Sequence, residues 1–457
     1  MLIDQSLLIF LFITPGLFIS SLLGTKKEYL LTLSFSIFFW SFSSVFIQMN
    51  YLINNLYGNL IVYTFLIFWL IKYKNFKNLL INFSLILLFE SINNIFGVLH
   101  LVSTTQITLN SSLSNLAYGY ANLGVSSIQN GLLKFLNNDY ILLTIQQCLS
   151  VSLLLYNLKN LITLNKLKLS SGVVILPAFL IFAVLLEVMT IRTHFFASQL
   201  LCFLIIESFK STNHRLDNKV FLIFLCLFIS SRLENIVIYF PILLLLLKQY
   251  FYYDVLLNDS KSLVQLFFAT ISPLIINYHG YSASQDVRSN LFLLTFLVVL
   301  LNIFTIFNKK SFIKFIHKKF NFIFVISLLF LAIALYYLFS SKALISWLFI
   351  FNHLMDTHQG WAVVVFYFVI VLIYLTNRTH NDELKKTYIT FFLTFILIII
   401  SSPLHHSAYG GEEWSLGVIE GLAIYNPFDE SQTRSFLQLF LTILPLSCLL
   451  TSQKREI

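Results

Sequence analysis

Long apolar runs, about 17 to 25 residues each, recur along nearly the whole chain, separated by short polar or basic stretches. Runs of that length match a helix crossing about 30 Å of hydrocarbon, in which every backbone N–H and C=O is satisfied internally. The pattern predicts spans near 6–23, 29–48, 56–71, 78–100, 140–156, 172–190 and 194–209. Further spans are expected near 263–279, 289–307, 321–340, 361–376, 387–403 and 434–450. No period-two alternation is present, which excludes a β-barrel. The expected fold class is all-α: a polytopic transmembrane helical protein with about thirteen spans.

One run does not fit simple alternation. Residues 220–247 are apolar apart from a polar interruption, Ser230-Ser231-Arg232-Leu233-Glu234-Asn235, at their middle. Lys219 and Lys248 bracket the run, and both belong on the basic side if the later basic loops are to remain there. The run is therefore expected to enter and leave on one side, as a re-entrant helical hairpin with a polar corner buried or lining a cavity.

Composition supports lipid as the solvent. Hydrophobic residues make up 58% of the 457 positions and charged residues only 11%, against about 25% charged in an ordinary soluble domain. The net charge of +9 is explained by sidedness rather than by a nucleic-acid partner, and none is expected. Of the 29 Lys and Arg, 23 fall in alternate loops, from Lys26 and Lys27 through Lys72, Lys74 and Lys77 to Lys454 and Arg455. By the positive-inside rule those loops are cytoplasmic, with the N-terminus outside and the C-terminus inside an inner or plasma membrane. The first run lacks a basic leader and a small-residue cleavage site and is expected to be retained. Cys148, Cys202, Cys226 and Cys448 lie in apolar runs without metal-ligand spacing and read as small hydrophobes.

Polar chemistry concentrates in three loops on the other side, 101–139, 341–360 and 404–433. No phosphate-binding glycine loop, zinc signature or internal repeat is present. Ionisable residues within spans cost about 2.5 to 3.5 kcal/mol on insertion scales and usually face a partner or a cavity. Glu90, Glu187, Arg192, His194, Arg232 and Glu234 are in or beside spans. Arg232 and Glu234 read equally well as an ion pair that fixes helix packing, and Glu90 as a hydrogen-bonded core carboxylate. His405 and His406 with Glu412 and Glu413 have the donor chemistry for a divalent cation, although adjacent residues rarely converge on one ion and a solvated loop is the plainer reading.

The stretch Ile191-Arg192-Thr193-His194, an apolar helix, a basic loop, and a half-helix ending in Ser-Ser-Arg-Leu-Glu-Asn resembles the middle of the GT-C membrane glycosyltransferases. Gln432-Thr433-Arg434-Ser435-Phe436, entering a span that contains Pro445, is similar to the arginine at the outer end of a late helix in that family. Thr14-Pro15-Gly16 and the helices after it resemble an N-terminal extension of some large members. The resemblance implies an N-terminal four-helix module at 1–100 and a GT-C-like core at 101–457. It also implies transfer of a sugar from a polyprenyl-phosphate donor to a glycan, lipid or protein acceptor at the outer face. Such a reaction uses a carboxylate base on the acceptor hydroxyl and cations on the leaving phosphate. Arg192, Arg232, Arg288 and Arg434 are the available cations, with His194, Glu234, His405 and His406 as further substrate contacts. The family places its catalytic carboxylate early in the first large outer loop, where residues 101–138 have none. Asp139, Asp286, Glu412 and Glu413 are the carboxylates left for that role. An O-antigen polymerase or ligase, a transporter or flippase, and a non-catalytic membrane subunit are the competing readings.

Overall fold

The computed structural model describes residues 2–39, 76–96, 139–165, 193–210, 216–231 and 382–400, with single positions among 64–72, 239–246 and 369–377 and at 442. All of its regular structure is helical: α1 Leu2–Leu22, a 3-10 turn Tyr29–Leu31 running into helical residues 32–39, and α2 Phe76–Phe96. Then follow α3 Asp139–Asn165, α4 Thr193–Phe209, α5 Asn218–Ser231 and α6 Asp382–Ile400. The chain forms two compact units, Met1–Leu233 with Lys261–Leu300, and Glu234–Ser260 with Leu301–Ile457. Among the described residues no helix is long and apolar enough to cross a membrane. The expected spans 172–190, 263–279, 289–307 and 321–340, and the hairpin corner 232–235, lie outside the described residues.

In the first unit, α1 stops because Gly24 adopts φ 70°, a left-handed conformation that favours glycine. Thr25 N–H reaches Ser20 O at 2.9 Å and Gly24 N–H reaches Ser21 O at 3.4 Å, a Schellman closure. The side chains of Ser20 and Thr25 meet beneath it at 3.2 Å. The turn sends helical residues 32–39 back along α1, where Ser36 Oγ donates to Ile13 O at 3.2 Å. Gly16 makes that approach possible, since a Cβ there would lie 2.2 Å from both Ser36 Oγ and Thr32 O. Pro15 precedes it within α1 and cannot supply the helical N–H, so the helix is already weakened at the point of closest contact.

The helix α2 packs on α1 and α3 with an inverted face. Asn78, Leu79, Asn82 and Ile86 are buried, while Phe76, Leu80, Ile81, Leu88 and Ile92 are exposed. The inward contacts run through Asn82 Nδ2 and Asn78 Oδ1, while Asn78 Nδ2 is buried without a hydrogen-bond partner. Asn82 Nδ2 donates to Asn78 Oδ1 at 2.7 Å and to Asn78 O at 2.9 Å, and it lies 3.2 Å from Tyr29 O. Thr32 Oγ1 donates to the same Asn78 Oδ1 at 2.9 Å. This clamp ties α2 to the turn after α1.

At the middle of the unit, α4 is buried on all sides from Phe196 to Ser208, as expected of a helix that is apolar all round. An aromatic chain crosses it. Phe203 stacks on Phe224 of α5 at 3.9 Å between centroids, Phe224 meets Phe35 edge-on at 6.0 Å, and Phe203 lies 5.6 Å from Tyr156 of α3. In the second unit, Thr390 and Thr394 of α6 return their hydroxyls to Lys386 O and Thr390 O at 2.7 and 2.9 Å. This lets a helix bury threonines without leaving their hydroxyls unsatisfied.

Candidate functional site

The most charged buried point among the described residues is at the close of α4. Glu207 is fully buried and Lys210 is 7% exposed. Lys210 stays on the helical path because its N–H bonds Ile206 O at 3.2 Å, which brings its side chain back one turn to Glu207. Its Nζ donates to Glu207 Oε1. The second carboxylate oxygen accepts Leu216 N–H at 3.3 Å. Leu216 immediately precedes Asp217, whose carboxylate accepts Lys219 N–H at 2.8 Å and caps α5. Glu207 thus closes the α4–α5 connection from within.

Lys210 Nζ also lies 5.8 Å from the centroid of the buried Tyr156 ring, a cation–π distance. Next to Tyr156, Asn157 Nδ2 donates to Gln199 O at 2.9 Å and to Gln199 Oε1 at 3.2 Å, while its own Oδ1 is buried without a partner. One helical turn farther from the α3 start, Lys159 pairs with Glu28 at 3.0 Å. Lys77 at the start of α2 lies 5.7 Å over the ring of Tyr29, the next residue. The loop after α1, the start of α2, the end of α3 and the end of α4 therefore meet at one end of this unit. Their lysines are those assigned to basic loops by the sequence pattern.

Chemically this cluster is closed. Both oxygens of Glu207 are occupied, and its cation is spent on it and on a ring face. The arrangement holds helix ends together and offers no free base. The pair was visible as a Glu–Lys spacing of three at the end of an apolar run, but Lys210 reads as loop charge in the sequence and Glu207 draws no notice beside it.

Two of the expected substrate and catalytic residues are described. Asp139 is the first residue of α3, and His194 sits in the first turn of α4. Arg192, Arg232, Glu234, Asp286, Arg288, His405, His406, Glu412, Glu413 and Arg434 lie outside the described residues, as do the three expected outer loops apart from Asp139. Among the described residues no three His, Cys, Asp or Glu side chains come together as metal ligands. Glu90 is half-buried on α2. Comparison with family models, curated proteins and solved structures returns no match.

Proposed function

We propose that the chain is a membrane-embedded glycosyltransferase that takes a sugar from a polyprenyl-phosphate donor and passes it to an acceptor at the outer face. The observation that carries the membrane part of this reading is the inverted face of α2. In water a helix turns amides outward and leucines inward; here Asn78 and Asn82 are 2% and 1% exposed while Leu80 and Leu88 are 62% and 56% exposed. Two polar residues of α2, Asn78 and Asn82, are thus hidden from the surroundings while leucines face them, which suits hydrocarbon rather than water; Lys77, Ser84 and Ser91 of the same helix are exposed. The gathering of Lys77, Lys159 and Lys210 at one end, with Glu28 and Tyr29, supports a common side for the first basic loops.

The transferase part rests on the sequence. A lipid-linked sugar phosphate keeps its tail in hydrocarbon and its anionic head at the outer interface, so its cations belong at outer helix ends. Arg434 opens the last expected span after the acidic and aromatic loop 404–433. A guanidinium pairs two phosphate oxygens at once, which an ammonium does not match. Arg192, Arg232 and Arg288 share that role, and Asp139, Asp286, Glu412 or Glu413 supplies the base. Replacing Arg434 with Ala should abolish transfer from a polyprenyl-phosphate sugar while the protein still integrates into membranes, and Arg434→Lys should restore it in part. Unchanged polyprenyl-phosphate affinity and glycan output in Arg434→Ala would overturn the donor assignment.

A further inference from the structure

The outward face of α2 has an order along its length that its apolar character alone does not require. At 100° per residue, Lys77, Ile81, Ser84 and Leu88 lie within about 60° of one another around the helix axis, and all four are exposed. Leu80 and Ile92 flank this strip and are exposed too. Lysine heads the strip, a small serine sits at its middle, and leucine closes it. From Lys77 to Leu88 the helix rises about 17 Å, close to the half-thickness of about 15 Å of a bilayer's hydrocarbon.

Lys77 is held at the head of this strip by the ring of Tyr29, 5.7 Å from its Nζ. A cation–π contact leaves ammonium hydrogens available to an anion. Lys77 also stands in the first turn of α2, where the unpaired backbone N–H groups of the helix favour negative charge. Lys72, exposed a few residues earlier, adds to the positive field. No acidic residue lies in the first turn of α2.

We propose that this face of α2 is a binding site for an anionic phospholipid of the leaflet on the basic side, with the phosphate on Lys77 and an acyl chain along Ile81, Ser84 and Leu88. The proposal rests on the membrane part of the reading above and not on the transferase part. Ser84 supplies the depression in which a chain methylene lies between the two larger side chains. The headgroup is selected by charge, and the chain by the length of strip below it.

The test uses the full chain reconstituted in phosphatidylcholine vesicles that carry a trace of spin-labelled phosphatidylglycerol or spin-labelled phosphatidylcholine, with the motionally restricted fraction read by electron spin resonance. Carbonate extraction reports integration in parallel. The expected result is a preference for phosphatidylglycerol that falls about fivefold in Lys77→Gln at low salt, the worth of one lysine near an anionic headgroup. Lys77→Arg should retain it. Lys219→Gln, which removes an exposed lysine from α5, should leave the preference unchanged. Ser84→Trp, which fills the depression, should lower the restricted fraction of both lipids. Equal preferences in wild type and Lys77→Gln, both integrated, would overturn the site while leaving the membrane reading intact. A wild-type chain released by carbonate would overturn both.

Discussion

Gly16→Ala adds a single methyl group where α1 meets helical residues 32–39, and the geometry there sets how much it costs. The new carbon would sit 2.2 Å from Thr32 O, 2.2 Å from Ser36 Oγ and 2.9 Å from Ser36 N. An ordinary contact begins near 3.4 Å, so the returning segment has to withdraw by about 1 Å, an overpacking that costs about 1–3 kcal/mol. Withdrawal also breaks the bond from Ser36 Oγ to Ile13 O, 3.2 Å long, which is worth about 0.6–1 kcal/mol. The total is about 2–4 kcal/mol. The assay is thermal unfolding of the purified chain in detergent micelles, where that loss corresponds to a fall of roughly 2–4 °C in midpoint for a chain of this length. A second variant separates the causes. Ser36→Ala in the Gly16→Ala background removes the hydroxyl but not Thr32 O, a backbone atom just as close, and so should not rescue. A midpoint unchanged in Gly16→Ala, or fully restored by Ser36→Ala, would refute the claim that backbone approach at Gly16 holds this pair of helices together.

Three further substitutions set the buried and exposed ion pairs apart. Glu207→Gln leaves Lys210 buried without its carboxylate and should cost about 3–5 kcal/mol, and Glu207→Gln with Lys210→Met should recover much of that loss, because no uncompensated charge remains. The same thermal measurement in detergent checks both, and a double variant no more stable than Glu207→Gln would count against the pair. Lys159→Gln removes the partner of Glu28, but with Lys159 55% exposed the expected loss is below about 1 kcal/mol and should shrink further in high salt.

The ends of several helices were legible from apolarity alone, and the reasons for the misses are specific. The expected run 78–100 corresponds to α2 at Phe76–Phe96, and 194–209 to α4 at Thr193–Phe209. The helix α5 ends at Ser231, within the polar interruption of the expected hairpin, whose corner at 232–235 lies outside the described residues. By contrast α3 continues to Asn165, past the expected end at 156. Hydropathy falls at Asn157, Lys159 and Asn160, yet nothing there breaks a helix: the stretch holds no Gly or Pro, and Asn160 returns its amide to Tyr156 O at 2.9 Å. Loss of apolarity marks a change of surroundings along a helix, whereas capping marks where it stops.

The candidate site was less legible, because partner choice is three-dimensional. Thr32 and Asn78 are 46 residues apart and meet through one hydrogen bond, and Glu28 finds Lys159 across 131 residues. Neither pairing leaves a local signature in the chain. The spacing of four between Asn78 and Asn82 does, and it marks an inward polar stripe on a helix in which the sequence singles out only Glu90.

That stripe bears on the order in which the protein is assembled. On the membrane reading proposed above, an inserted α2 would present two amides to lipid before any neighbour had arrived, and the bond from Asn82 Nδ2 to Asn78 Oδ1 would let the helix satisfy part of this demand within itself. The hairpin of α1 with residues 32–39 closes early by contrast, since Ser36 and Ile13 are only 23 residues apart and meet without α2. The closed hairpin offers Thr32 Oγ1 to Asn78 Oδ1 and Tyr29 O to Asn82 Nδ2, leaving Asn78 Nδ2 without a partner. In that order, docking of α2 would be templated by a hairpin already closed. On the same reading, a chain that stalled between the two steps would leave these amides half-satisfied in lipid.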